Sequence, residues 1–207
     1  MLVKPLTLRF LSSLLLCGLA TQVNSQGAPA SEATQSLTAV RRAAEGQLRR
    51  ELDAGTKGVS FAAAEQASGR CPWLTDHPYP ECFVCGTHRP DGLRIFPGPV
   101  EGRRIAAAPW VPDASVADAG VVRPAVVWAS VDCPSLFGYG CFEQWDALML
   151  LGRFTAQVHR LPTVGERCVV TGWALGRDGR KHDTAAALHT ADGELLALSR
   201  ALWITLK

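Results

Sequence analysis

Apolar residues Leu37, Val40, Ala44, Leu48 and Leu52 recur at three- and four-residue steps, with Arg41, Arg42, Glu45, Arg49 and Arg50 between them. That period predicts an amphipathic helix docking by one stripe, ended by Gly55 and Gly58. Residues 71–80 mix proline with aromatics and predict irregular chain. Beyond Cys82 the pattern turns to β: residues 93–96 and 105–111 predict two strands joined by the Gly/Pro-rich turn 97–102. Pro124 opens an apolar run that ends at Asp132, and a proline there suits the first turn of a helix. Further on, Phe154, Ala156 and Val158 alternate with Thr155, Gln157 and His159, the pattern of a half-buried strand. Residues 168–175 and 195–206 predict two more strands, His182 and His189 fall in strand pattern, and Asp178-Gly179 and Asp192-Gly193 read as hairpin turns. The predicted order is therefore two strands, one buried helix, then four antiparallel strands. An apolar helix between strands of one sheet requires the sheet to curl around it, which makes the class α+β.

The chain has 207 residues, room for one domain and an extension. It is 47% hydrophobic and 19% charged, with a formal net charge of +2. The arginines are scattered and no basic run is interleaved with aromatics, so nucleic acid is not an expected partner. Glu32 is the first acidic residue. Before it, Lys4 and Arg9 precede an apolar stretch, 10–20, too short to span a bilayer. Residues 1–25 therefore read as a targeting segment with a possible cut before Gln26. A secretory leader, a mitochondrial-type presequence and a misassigned start remain open. Leu16 before Cys17 speaks against a lipoprotein anchor, and no stable membrane anchor is expected. Residues 26–77 read as linker and accessory helix, and residues 78–207 as the main domain.

Of seven cysteines, Cys133 and Cys168 sit in apolar segments as small buried hydrophobes. Cys82-x-x-Cys85 has His88 after it and Cys71 and His77 before it, but zinc needs four ligands and no second Cys pair is present. A turn with two buried cysteines is expected there, with no metal and no redox dithiol. Neither a Gly-x-Ser-x-Gly elbow, a phosphate-binding Gly-Lys-Ser/Thr loop nor a His-Glu-x-x-His helix occurs.

Four pieces of sequence go further: Cys82-Phe-Val-Cys85-Gly86 with Gly92-Leu93-Arg94; the run from Pro124 to Asp132; Leu151-Gly152-Arg153-Phe154-Thr155-Ala156; and Gly179-Arg180-Lys181 with Asp192-Gly193-Glu194-Leu195-Leu196-Ala197. In order and spacing, residues 79–207 resemble the hotdog-fold acyl-CoA thioesterase superfamily, in its phenylacetate-type branch. The resemblance implies an antiparallel sheet wrapped around one central helix, here with an N-terminal helical extension. It also implies hydrolysis of acyl-CoA thioesters, with coenzyme A as part of the substrate and no separate cofactor. Self-association as a dimer or tetramer, with the site at the subunit interface, follows from the same resemblance. Such chemistry belongs in cytoplasm or an organelle matrix, against the secretory or organellar look of the leader. Many relatives open the helix with His-Gly-Gly. Arg123, Pro124 and Ala125 stand at those positions here, and Pro124 has no N–H.

Thioester hydrolysis needs an activated water or nucleophile, and donors for the developing oxyanion. Asp132 is the candidate general base or nucleophile, with its basicity raised by a helix C-terminus near Pro134. The structural alternative is that it binds backbone amides where the helix bends. The Ala125 and Val126 amides are candidate oxyanion donors. Arg123 could cover the carbonyl in place of the missing histidine, and Trp128 lines an acyl pocket or sits in the core. Arg177, Arg180 and Lys181 are candidate phosphate contacts for coenzyme A, or a solvated turn. A non-catalytic acyl-binding protein, a hydratase or dehydratase of the same fold, and a secreted disulfide- or metal-stabilised module are the rival readings.

Overall fold

The computed structural model describes residues 58–143 and 147–207. The leader and the amphipathic pattern at 37–52 lie outside the described residues. Helix α1 (Phe61–Ser68) is capped by the Ser60 side chain, which accepts from the Ala63 N–H at 3.2 Å. Its apolar period is faint in the sequence, because its core face is two alanines and one phenylalanine. Those three residues pack on Ala107 and Val169, so the compact unit already includes chain well before residue 78.

Strands β1 (Gly98–Pro99) and β2 (Ala106–Trp110) are followed by a small β3–β4 ribbon (Ala117–Asp118 and Val121–Val122). Helices α2 (Pro124–Ser130) and α3 (Cys133–Gly140) come next. Four long strands end the chain: β5 (Met149–Val158), β6 (Cys168–Asp178), β7 (Lys181–Thr190) and β8 (Leu195–Thr205). The main sheet is antiparallel, in the order β1-β2-β6-β7-β8-β5. The expected succession of strands, helix and four antiparallel strands is thus present.

Two expectations need correcting. Residues 93–96 are not a strand: the Leu93 and Ile95 amides are used by the Phe83 and Val84 carbonyls of the preceding loop, and the first strand lies at 98–99 in the expected turn. His159 falls just beyond β5, at a bend. Among the described residues no helix is long and apolar enough to cross a membrane.

One register explains how the sheet holds a helix. Ala106, Gly172, Ala186, Ser199 and Ala156 are paired side by side across five strands. This row of small residues leaves a trough into which α3 sinks. A Cβ at Gly172 would lie 1.8 Å from the Pro134 carbonyl oxygen, and one at Gly138 would lie 2.1 Å from the Trp173 nitrogen. Helix and sheet backbones are therefore in direct contact. The neighbouring row, Ala108, Val170, Leu188, Ala197 and Val158, is bulkier and forms the main core with Val126, Val127 and Val131. At the far end, Trp203 Nε1 donates to Ser135 Oγ at 3.0 Å. The strand ends are clamped by Arg160, which bonds both Glu166 and Glu194.

Because the atoms facing Gly172 are backbone, a methyl group there has nowhere to go. Gly172→Ala is expected to cost about 3 kcal/mol or more, read by urea denaturation. Gly176→Ala, where a Cβ meets nothing within 4 Å, is expected to stay within about 0.5 kcal/mol of the parent.

Candidate functional site

The run from Pro124 does not form one helix ending at Asp132. Pro134 lacks the N–H that would continue the ladder to Ser130, and the backbone leaves helical geometry at Val131 and Asp132. The chain therefore closes α2 with tight turns, Val131 N–H to Trp128 O and Asp132 N–H to Ala129 O, and restarts as α3. It is α3 that the sheet holds. Asp132 sits at the break, and its carbonyl, not its side chain, caps α3 by accepting from the Ser135 N–H at 3.0 Å. The bend expected at Pro134 is present. The backbone-binding role for the side chain is not, since no amide bonds it.

The Asp132 residue is half-buried, and its Oδ1 is buried with no hydrogen-bond partner. Burial, with a smaller contribution from the charge of Cys82, pushes its carboxyl up to about 6. Desolvation is thus the cause of the raised basicity, in place of the helix C-terminus invoked from sequence. Behind it, Ser199 Oγ donates to the Val131 carbonyl at 2.7 Å. That bond fastens the break to the middle of the sheet.

On the other side of the break lie three sulfurs. Cys82, Cys85 and Cys133 present Sγ atoms all within 4.8 Å of one another, with Cys82 and Cys133 3.5 Å apart. The Cys133 and Cys85 thiols and the Val84 and Cys85 amides converge on Cys82 Sγ and hold its pKa at about 2. For Cys85, the bond with Cys133 lowers the pKa, but the bond with Cys82 and burial outweigh it and push it up. Cys133 is raised by its bonds to Cys82 and Cys85 and by burial. All six described cysteines are free. Cys133 was read from sequence as an isolated core residue; no local spacing links it to the Cys82–Cys85 turn.

The remaining candidates are placed as follows. The Ala125 N–H is exposed and without an acceptor among the described residues. The Val126 N–H is not free, because it closes a turn onto the Arg123 carbonyl at 3.0 Å; that expectation is corrected. Arg123 is itself engaged, donating to Ser115 O at 3.1 Å and pairing with Asp118 at 3.7 Å. Trp128 is 42% exposed and packs edge-on against Phe154 of β5, so it is not a core tryptophan. Arg177, Arg180 and Lys181 are exposed at the β6–β7 hairpin. Arg177 reaches the Tyr139 hydroxyl at 3.4 Å, which puts the hairpin at the opposite end of α3 from Asp132.

No protein-family model and no curated protein matches the sequence. Solved structures do match by shape. A thioesterase superfamily protein is 16% identical with a TM-score of 0.54, covering 87% of this chain and 81% of its own. The Escherichia coli PaaI protein, from the phenylacetic acid degradation operon, is 10% identical with a TM-score of 0.45, over 50% of this chain and 74% of its own. A hypothetical thioesterase from Streptococcus pneumoniae, solved with coenzyme A, is 6% identical with a TM-score of 0.45, over 49% and 78%. The architecture is the hotdog fold.

Removing the Ser199 hydroxyl leaves the Val131 carbonyl buried without that donor. Ser199→Ala is expected to cost about 1–3 kcal/mol, measured by thermal and urea unfolding, whereas Thr184→Ala, whose hydroxyl has no partner, is expected to cost less.

Proposed function

We propose that this protein hydrolyses acyl-CoA thioesters as a self-associating hotdog enzyme, with Asp132 as general base or nucleophile. The observation that carries the reading is the buried, unpartnered Asp132 Oδ1 at the break between α2 and α3. A carboxylate without donors keeps its full basicity. Lifted to about 6, it stays ionised at neutral pH while accepting a proton more readily than an ordinary aspartate. It can take the proton of a water attacking the thioester carbonyl, or attack that carbon itself and be released by water afterwards.

The oxyanion that develops needs a donor about 3 Å away. The free Ala125 N–H suits that role, but it lies at the opposite end of α2 from Asp132. Seven residues of helix put the two about 10 Å apart, too far to act on one carbonyl. A site using both is complete only if the Ala125 amide comes from a second copy of the chain. This favours a dimer, and the fold offers a surface for one. Strand β5 is the edge of the sheet, and beyond Met149, whose N–H and carbonyl bond the Tyr79 hydroxyl, no described strand pairs with its outer side. Leu148, Leu150 and Leu151 are exposed along it, Leu150 to 53%, and Trp128, packed on Phe154 of the same strand, is exposed as well. Arg177, Arg180 and Lys181 then offer cations to the phosphates of a coenzyme A lying along the molecule. Arg123, already paired with Asp118, contributes at most by rearranging.

The decisive assay is release of free coenzyme A from a panel of acyl-CoAs. Wild-type turnover is expected, with Asp132→Asn lowering kcat about 10²- to 10⁴-fold while the variant stays folded. Ligand-induced stabilisation without turnover in the wild type supports the binding protein instead. Light scattering is expected to give a dimer or a multiple of it, and Leu150→Lys is expected to shift the population to monomer and lower turnover with it.

A further inference from the structure

The Cys82–Cys85 turn and the first residue of α3 come from distant parts of the chain, yet their three sulfurs converge on one point. Four thiolates held about 2.3 Å from a zinc ion stand about 3.8 Å from one another. The Cys82–Cys133 separation of 3.5 Å, within a trio spanning no more than 4.8 Å, falls around that value. It is far beyond the covalent distance of about 2.05 Å that a disulfide requires.

The turn itself is built as a ligand loop. The Gly86 N–H bonds the Cys82 carbonyl at 2.8 Å, and the Val84 and Cys85 amides point at Cys82 Sγ. A Cβ at Gly86 would lie 2.3 Å from the Pro80 oxygen and 2.5 Å from the Cys82 oxygen, so only glycine lets the chain fold back this tightly. Of the buried polar atoms elsewhere among the described residues that lack hydrogen-bond partners, two are Asp132 Oδ1 and the Nε2 of His77, which is 8% exposed. His77 Nδ1 accepts the Tyr79 N–H at 2.9 Å, so the neutral ring carries its proton on Nε2 and is a donor seeking negative charge. Three sulfurs converging from a tight glycine-built turn and from the start of α3 form a ligand set for one cation.

We propose that Cys82, Cys85 and Cys133 bind a divalent cation of the zinc class as three thiolates, with a water in the fourth position. Binding releases the thiol protons to solvent and involves no change of oxidation state. The metal ties the N-terminal loop to the start of α3 and thereby fixes the break that carries Asp132. Cys71 and Cys141, which share the surrounding apolar cluster, are not part of the ligand set.

The test uses the full-length chain, purified under reducing conditions without chelators. Elemental analysis is expected to find one zinc per chain. After its removal, titration with cobalt(II) is expected to give the intense near-ultraviolet absorption of thiolate-to-cobalt charge transfer, saturating at one equivalent. Cys82→Ser, Cys85→Ser and Cys133→Ser are each expected to lose tight binding, while Cys71→Ser and Cys141→Ser retain it. If the first three variants do not fold, the wild-type titration and the two retained variants still decide the matter. Folded, reduced wild type that binds neither ion overturns the proposal, as does equal loss of binding in Cys141→Ser. None of these readouts depends on thioester turnover, so they stand apart from the hydrolase reading.

Discussion

The close approach of α3 to the sheet is the constraint on which the rest depends. It exists because one row across five strands is built from Ala106, Gly172, Ala186, Ser199 and Ala156. With larger side chains in that row the helix would ride higher, as helices on sheets ordinarily do, and the Val131 carbonyl would lose its bond to Ser199. Seated as it is, α3 cannot also run continuously into α2. Pro134 and the bond from Ser199 stop the ladder at Val131, and the residue that follows is the acid.

That placement has an energetic cost. A carboxyl lifted from 3.8 to about 6 by burial destabilises the fold by on the order of 3 kcal/mol when ionised. The folded value lies above the ordinary one, so the cost is full above pH 6 and vanishes below about pH 4. Packing of Val126, Val127 and Val131 into the main core and of α3 into its trough offsets it. The neighbouring sulfurs are likewise crowded, three thiols within 4.8 Å of one another.

Much of the fold was legible because its signals are local. Alternation in residues 154–158, the Asp-Gly turns and the proline opening α2 each rest on nearest neighbours, and the four-strand meander followed. The failures have equally physical causes. Residues 93–96 carry a strand's apolar pattern, but their amides bond a loop at Phe83 and Val84, a pairing that no pattern within the segment encodes. Helix α1 escaped notice because alanines at its contact face give a faint period. Asp132 was visible as a lone acid in an apolar run, whereas the reason for its basicity depends on burial that only three dimensions supply. The cysteine cluster was half legible. The Cys82–Cys85 turn is a local motif, but Cys133 joins it through tertiary folding, and the trough that brings it there is a row of small residues that read as nothing in particular along the chain.

A structure of the protein with a non-hydrolysable acyl-CoA analogue tests the central claim most directly. The account places the analogue's carbonyl carbon about 3–3.5 Å from an Asp132 carboxylate oxygen or from a water bonded to it, with its oxygen turned toward an Ala125 amide of a second copy. An analogue bound with its carbonyl at the β6–β7 hairpin, or anywhere out of reach of Asp132, would contradict it.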